Sequence, residues 1–236
     1  MCYDISLIKP LKNLKKTYQL ETPEITGFKP LYHVSAFSNA QLFCITDREP
    51  DKITSMKWGL IPFWSEKEFT NLHASNIQLN VNAEKIVESN KGRENLFLNR
   101  CLILADGFFE PHSINGKSFP YYCYLDEQRV FSFAGIYNRN EDNELSCSII
   151  TTKSTPFFEY VNNKANRMPL VLDPYYEKIW IKKKITFKEI EMVMEEGFIN
   201  DHFNAHPVSR SLYDHNTDTN NPEAIKKSGT GAILFG

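Results

Sequence analysis

Cys2 is the residue from which chemistry is most readily built. Removal of Met1 proceeds when the second residue is small, and it leaves a chain that begins with a free cysteine. Its amine and thiol have ordinary pKa values near ~7.7–8.0 and ~8.5, so both are partly nucleophilic at neutral pH. Such a pair condenses with an aldehyde: the amine forms a Schiff base and the thiol closes a five-membered thiazolidine. The plainer reading of the same position is a small residue in a first strand. Trp58 and Trp64 are large aromatic residues, with Pro62 and Phe63 shaping the loop between them. Trp58 reads first as a core residue. His202 and His206 stand at the spacing of a helical metal pair. No third ligand accompanies them and Pro207 follows at once, so no metal and no cofactor are expected.

The elements that must position these residues are mostly short strands. Leu31–Phe37, Gln41–Thr46, Lys57–Pro62, Cys101–Ala105, Phe108-Phe109, Tyr121–Leu125, Val130–Ile136, Leu145–Thr151 and Leu170–Leu172 are apolar runs rich in β-branched and aromatic residues. Asn115-Gly116 is a hairpin signal. Helices are predicted over Pro174–Ile181, with Asp173 as N-cap, and over Phe187–Glu196, with Thr186 and Glu189 as a capping box. Ala83–Ser89 reads as one more short helix. No repeat, low-complexity block or linker divides the chain. One α+β domain on antiparallel sheet, over 1–215, is the natural reading, with 216–236 as a loose polar tail.

Composition narrows the class. The 236 residues are 42% hydrophobic and 24% charged, with 17 Phe and 11 Tyr, which excludes a disordered polymer. A net charge of −2 argues against a generic polycation that coats nucleic acid but leaves room for a local basic cleft. The five cysteines, Cys2, Cys44, Cys101, Cys123 and Cys147, are odd in number and lack CxxC spacing, so neither a disulfide framework nor a zinc ribbon is expected. The opening MCYDISL has no signal-peptide pattern and no apolar run approaches the roughly 18 residues of a membrane span. A reduced, cytoplasmic, monomeric protein is expected.

Several segments then appear in a fixed order: Met1-Cys2-Tyr3, the run from Trp58 to Trp64, Arg100 to Glu110 containing ADGFFE, Phe133 to Ile136, Thr151-Thr152, Arg167-Met168-Pro169 and Pro207-Val208-Ser209. This set resembles the SOS-response-associated peptidase family, from Cys2 to about Ser209. The resemblance implies a sensor of abasic sites in single-stranded DNA that links its N-terminal cysteine to the ring-opened sugar aldehyde. The same machinery is implied to remove residues preceding that cysteine. The apolar runs from Leu31 to Leu172 should then form a barrel-like antiparallel sheet with a few peripheral helices. Cys2 is the implied nucleophile. Glu110, the glutamate of GFFE, is the implied proton shuttle, its pKa raised among Phe108, Phe109 and Pro111. The family's catalytic asparagine falls on Asn80 when Glu84 is aligned, which puts Asn82 where the family has arginine; a literal Asn-Ala match at Asn82 competes. Arg167 and Asn82 are carried over to the implied DNA-binding set, which Trp58 and Trp64 join as stacking faces for bases and Pro62, with Phe63, as a loop suited to wedging into DNA.

The chain departs from the pattern in the same region. Family members carry a histidine two or five residues before the arginine, and Ala165 and Asn162 stand at those positions. Asn162 takes the role on paper, although an amide hydrogen-bonds and carries no proton near neutral pH. Asp4 stands where the pattern has a basic residue, so with Asn82 two phosphate-binding charges are absent, and Lys85 and Lys164 are the nearby replacements. His112 lies close enough to Glu110 in sequence to take over proton transfer. The alternative is a paralogue that kept the fold and binds DNA non-covalently. A general thiol peptidase ranks last, because the sequence fixes no histidine partner for Cys2.

Overall fold

Alternation along the strands sets the two sides of every layer. In Arg100–Ala105, Cys101, Ile103 and Ala105 enter one apolar cluster while Leu102 and Leu104 enter another, so all six residues are buried. The structure, a computed structural model, describes residues 2–20, 28–38, 41–60, 77–88, 90–214 and 217–229. Its strands are β1 (Asp4–Leu7), β2 (Leu31–Ser35), β3 (Gln41–Thr46), β4 (Ile53–Trp58), β5 (Asn80–Asn82), β6 (Arg100–Ala105), β7 (Gly107–Ile114), β8 (Lys117–Leu125), β9 (Phe131–Arg139), β10 (Leu145–Lys153), β11 (Arg167–Pro169), β12 (Val171–Leu172) and β13 (Phe203–Pro207). Its helices are α1 (Leu11–Tyr18), α2 (Ala83–Glu88), α3 (Asn90–Leu98), α4 (Pro156–Val161), α5 (Pro174–Trp180) and α6 (Phe187–Glu196). Among the described residues no helix is long and apolar enough to cross a membrane.

Two sheets divide the strands. One has the order β13-β8-β7-β1-β2 and is antiparallel throughout. In the other, β10, β4, β3, β6 and β9 pair in turn, and β9 pairs back to β10, closing a five-stranded barrel. Closure removes the free edges that an open sheet of these strands would expose. The barrel is narrow: a methyl group on Gly135 of β9 would come within 2.8 Å of Ile103 and 2.9 Å of Cys101. The expected antiparallel rule holds except at β10, which runs parallel to β4 and to β5. These partners are far from β10 in sequence, so no tight hairpin dictates their direction.

Local signals act as the residue types require. Asn115 and Gly116 take positive φ values of 48° and 76° and join β7 to β8. Asp173 caps α5 by accepting from Tyr175 N–H at 2.9 Å, and Thr186 and Glu189 form the reciprocal box at α6. Helices α1, α5 and α6 cover the barrel's outer face through Leu14, Trp180, Ile190 and Val193. The structure bears on two further points, the histidine pair and the tail. His206 lies in β13, not a helix, and its Nε2 meets the Ile225 carbonyl at 2.8 Å, so His202 and His206 do not share a helix face. Nor is the tail loose over its described part: 217–229 packs on the outer face of the first sheet, where Ala224 joins Phe109, Tyr122, Val208 and Leu212. Short polar side chains anchor it, Asn220 Oδ1 accepting from Tyr32 N–H at 2.8 Å and Thr219 Oγ1 meeting His33 Nδ1 at 2.6 Å.

Candidate active site

Four elements meet where the first sheet faces the barrel. β1 runs beside β7 with Asp4 opposite Phe109, which carries Cys2 to the level of Glu110. Glu110 sits in β7 opposite Tyr121 of β8. β5 lies along β10 with Asn80 in register with Ile149, and α4, leaving β10, ends at Asn162.

Cys2 is fully buried in the apolar cluster shared by sheet and barrel, and its backbone carbonyl accepts from Asn80 Nδ2 at 2.8 Å. Glu110 is 1% exposed, and its Oε2 accepts from Asn162 Nδ2 at 2.5 Å. Two oxygens here, Glu110 Oε1 and Asn80 Oδ1, are buried with no hydrogen-bond partner among the described residues. Buried acceptors are seldom left so, and those that are call for a ligand or a chemical role. Burial pushes the Glu110 carboxyl up to about 7, against the opposing effects of the terminal ammonium and Asn162. Burial also pushes the Cys2 thiol well up, and the Glu110 charge adds to the effect. At neutral pH the site therefore holds a neutral thiol beside a carboxyl poised between its two forms. That pairing suits proton transfer during addition to a carbonyl.

The remaining predicted residues fall in different places. Asn82 caps α2, its Oδ1 accepting from Lys85 N–H at 3.0 Å, so the capping role belongs to Asn82 and the reach toward Cys2 belongs to Asn80. Of the two positions for the family histidine, Asn162 touches Glu110 and Ala165 is half-exposed. Arg167 donates to both carboxylate oxygens of Glu84, at 3.3 and 2.9 Å, and to Thr151. Partial burial opposes the Glu84 charge, but this pairing outweighs it and holds the carboxyl below its ordinary range. Trp58 is 0% exposed and its indole N–H donates to the Leu79 carbonyl, so it presents no face to a base: it is a core residue. Pro62 and Trp64 lie outside the described residues.

Sequence reasoning missed two features. Phe37, 69% exposed, leans on Tyr3 with ring centroids 5.3 Å apart, beside Cys2. Only its register at the end of β2, next to a strand it pairs with over distance, brings it there. The second is a seam between β7 and the end of α4. His112 Nδ1 meets the Val161 carbonyl at 2.9 Å, Ser113 N–H donates to Asn163 Oδ1 at 2.9 Å, and Asn163 Nδ2 donates back to the Ser113 carbonyl at 2.9 Å. The Asn162-Asn163 doublet after an aromatic run was the available signal.

Known proteins share this architecture. A sequence model of the SOS response associated peptidase (SRAP) family matches residues 1–214. The chain is 29% identical over 232 residues to abasic site processing protein YoqW of Bacillus subtilis (strain 168), spanning 96% of this chain and 99% of that one. It is 25% identical to abasic site processing protein HMCES of Xenopus tropicalis, over 84% of this chain and 66% of that one. A crystal structure of a protein from Bacteroides thetaiotaomicron superposes with a TM-score of 0.83 at 26% identity, covering 96% of this chain and 100% of that one. The match spans both sheets and includes Cys2, Asn80 and Glu110, and on that basis the chain belongs to the SOS response associated peptidase family.

Proposed function

We propose that this protein, acting as a cytoplasmic monomer, processes abasic sites in single-stranded DNA by a covalent link through Cys2. The observation that carries the reading is a pair of buried oxygens, Glu110 Oε1 and Asn80 Oδ1, that have no partner among the described residues and lie in the site that holds Cys2. Hydrolysis of the Met1–Cys2 peptide bond frees the Cys2 amine. The amine adds to the C1′ aldehyde of the ring-opened sugar, protonated Glu110 supplies the proton with which the hydroxyl leaves as water, and the Glu110 carboxylate takes back the proton that the nitrogen loses. The resulting imine takes the thiol across its C=N bond: sulfur bonds to C1′ and the thiol proton passes to nitrogen. Asn80 steadies the Cys2 backbone, and Asn162 holds the other oxygen of Glu110. The Tyr3–Phe37 pair offers a stacking face for a base next to the lesion.

A second reading, non-covalent DNA binding, draws on Asn162 standing in the histidine's place and on Asp4, Asn82 and Glu84 at or beside the basic positions. One experiment separates the two. Protein shown by intact mass to lack Met1 is mixed with uracil-glycosylase-treated single strands and followed over time by denaturing gel. A heat-stable shifted band is expected, absent in Cys2→Ala and formed about 10²–10⁴-fold more slowly in Glu110→Ala. Asn162→His should speed it. A Cys2→Ala protein that crosslinks at the parental rate sinks the covalent reading. A parent that binds the strand without crosslinking leaves the non-covalent one.

A further inference from the structure

Glu110 can serve as described only if one of its oxygens is held and the other left open. Asn162 holds Oε2, yet it follows a helix of only six residues and has left helical geometry, with φ −104° and ψ 82°. The local bond that its side chain makes, Oδ1 accepting from Lys164 N–H at 3.4 Å, is too long to fix it alone. The seam between β7 and α4 fixes it. A carbonyl oxygen only accepts, so the ring nitrogen facing Val161 O carries the proton, and His112 Nδ1–H satisfies one of the open carbonyls at the helix end. One residue on, the side chain of Asn163 closes a two-way bond with the Ser113 backbone. Residues 110, 112 and 113 of β7 thus bond residues 162, 161 and 163 respectively. His112 is itself 8% exposed and packs against Tyr121 and Tyr160, so its ring has little freedom to turn away.

We infer that His112 and Asn163 are positioning residues, which clamp the end of α4 to β7 so that Asn162 holds one oxygen of Glu110 and leaves the other for proton transfer. The inference extends the abasic-site reading by assigning residues that support its acid. It also gives the histidine of this site a role that needs no proton transfer. Among the described residues, the groups whose charge reaches Glu110 or feels it are Cys2, Tyr3 and Asp4 at the start of the chain, Cys123 on β8 and Tyr213, together with the chain-terminal ammonium. None of them belongs to the clamp, so loosening the clamp acts on Glu110 through Asn162.

The test reads Glu110 directly, by ¹³C NMR titration of carboxyl-labelled glutamate, with Glu110→Gln assigning the signal. An amide donating to a carboxylate favours the charged form, so losing it raises the midpoint. Asn162→Ala should raise it by about one pH unit. His112→Ala and Asn163→Ala should raise it part of the way. His112→Asn should stay near the parent, because its amide nitrogen replaces the Nδ1 donor. The double variant His112→Ala/Asn162→Ala should lie no higher than Asn162→Ala alone. Asn163→Ala alters an exposed side chain and keeps the test open if His112→Ala does not fold. A parental midpoint in folded His112→Ala and Asn163→Ala, or a double variant that shows the sum of both shifts, overturns the clamp. The titration uses no DNA, so a parent that fails to crosslink counts against the abasic-site reading alone.

Discussion

Arg167 illustrates how neighbours set what a motif residue can do. As a lone guanidinium beside the site it would neutralise a phosphate. Here its fork is turned onto Glu84, 2.9 Å away at the nearer oxygen, and its remaining contacts go to Thr151, with 22% of the side chain exposed. A guanidinium so engaged contributes little to an affinity built on displaced counterions. Glu84→Gln keeps the size and removes the charge. It should tighten binding to undamaged single strands by about threefold and steepen the salt slope by up to about 0.7, the share of one phosphate contact. Fluorescence anisotropy across a salt series measures both, and an unchanged slope would show that Arg167 faces no phosphate in the complex.

Among the elements, α1 and α5 are joined by a carboxyl in an unusual state. Glu177 of α5 accepts from Ser132 Oγ at 2.7 Å and from Tyr18 OH, at the end of α1, at 3.3 Å. Burial pushes this carboxyl up to about 6 even though both hydroxyls oppose the rise. A carboxyl whose folded pKa lies above its unfolded value binds its proton more tightly when folded. Its contribution is therefore complete below about pH 4.5 and is lost as pH rises through about 6, an effect of roughly 2 kcal/mol. Glu177→Gln keeps an acceptor for both hydroxyls and cannot ionise. Urea unfolding at pH 4.5 and pH 7 should show the gap between variant and parent widening in favour of the variant by about that amount. A constant gap would mean that Glu177 does not titrate in this window.

On the scale of the molecule, the segment after the family match is part of the fold. Residues 217–229 cover Phe109 and Tyr122 on the face of β7 and β8 opposite the candidate site, and Thr219 reaches the His33 ring, whose other nitrogen lies 3.0 Å from Asp4. Asp4 stands two residues from Cys2, so the segment braces the strand that presents the reactive end. Truncation after Asp214 exposes this apolar patch and unties His33. It should lower unfolding free energy by about 2–3 kcal/mol, the burial of one or two aliphatic side chains, with a matching fall in Tm by calorimetry. An unchanged Tm would show that the segment is only draped on the sheet.

Sequence alone determined what depends on near neighbours along the chain. Asn115-Gly116 dictated a hairpin because both residues tolerate positive φ, and Asp173, Thr186 and Glu189 dictated helix starts because their side chains reach donors within three residues. The order of motifs, carrying Cys2 and Glu110, pointed to the family. Tertiary structure alone decided what depends on partners far away. Whether Trp58 faced a base or the core turned on the closing of the barrel around it, and whether Asn80 or Asn82 faced Cys2 turned on the register of β5 against β10. The tail looked loose because it is polar, and it is held by hydrogen bonds across nearly two hundred residues that no local pattern encodes. The clamp on Asn162 belongs to the same class, since it exists only where a strand at residue 112 meets a helix end at residue 161.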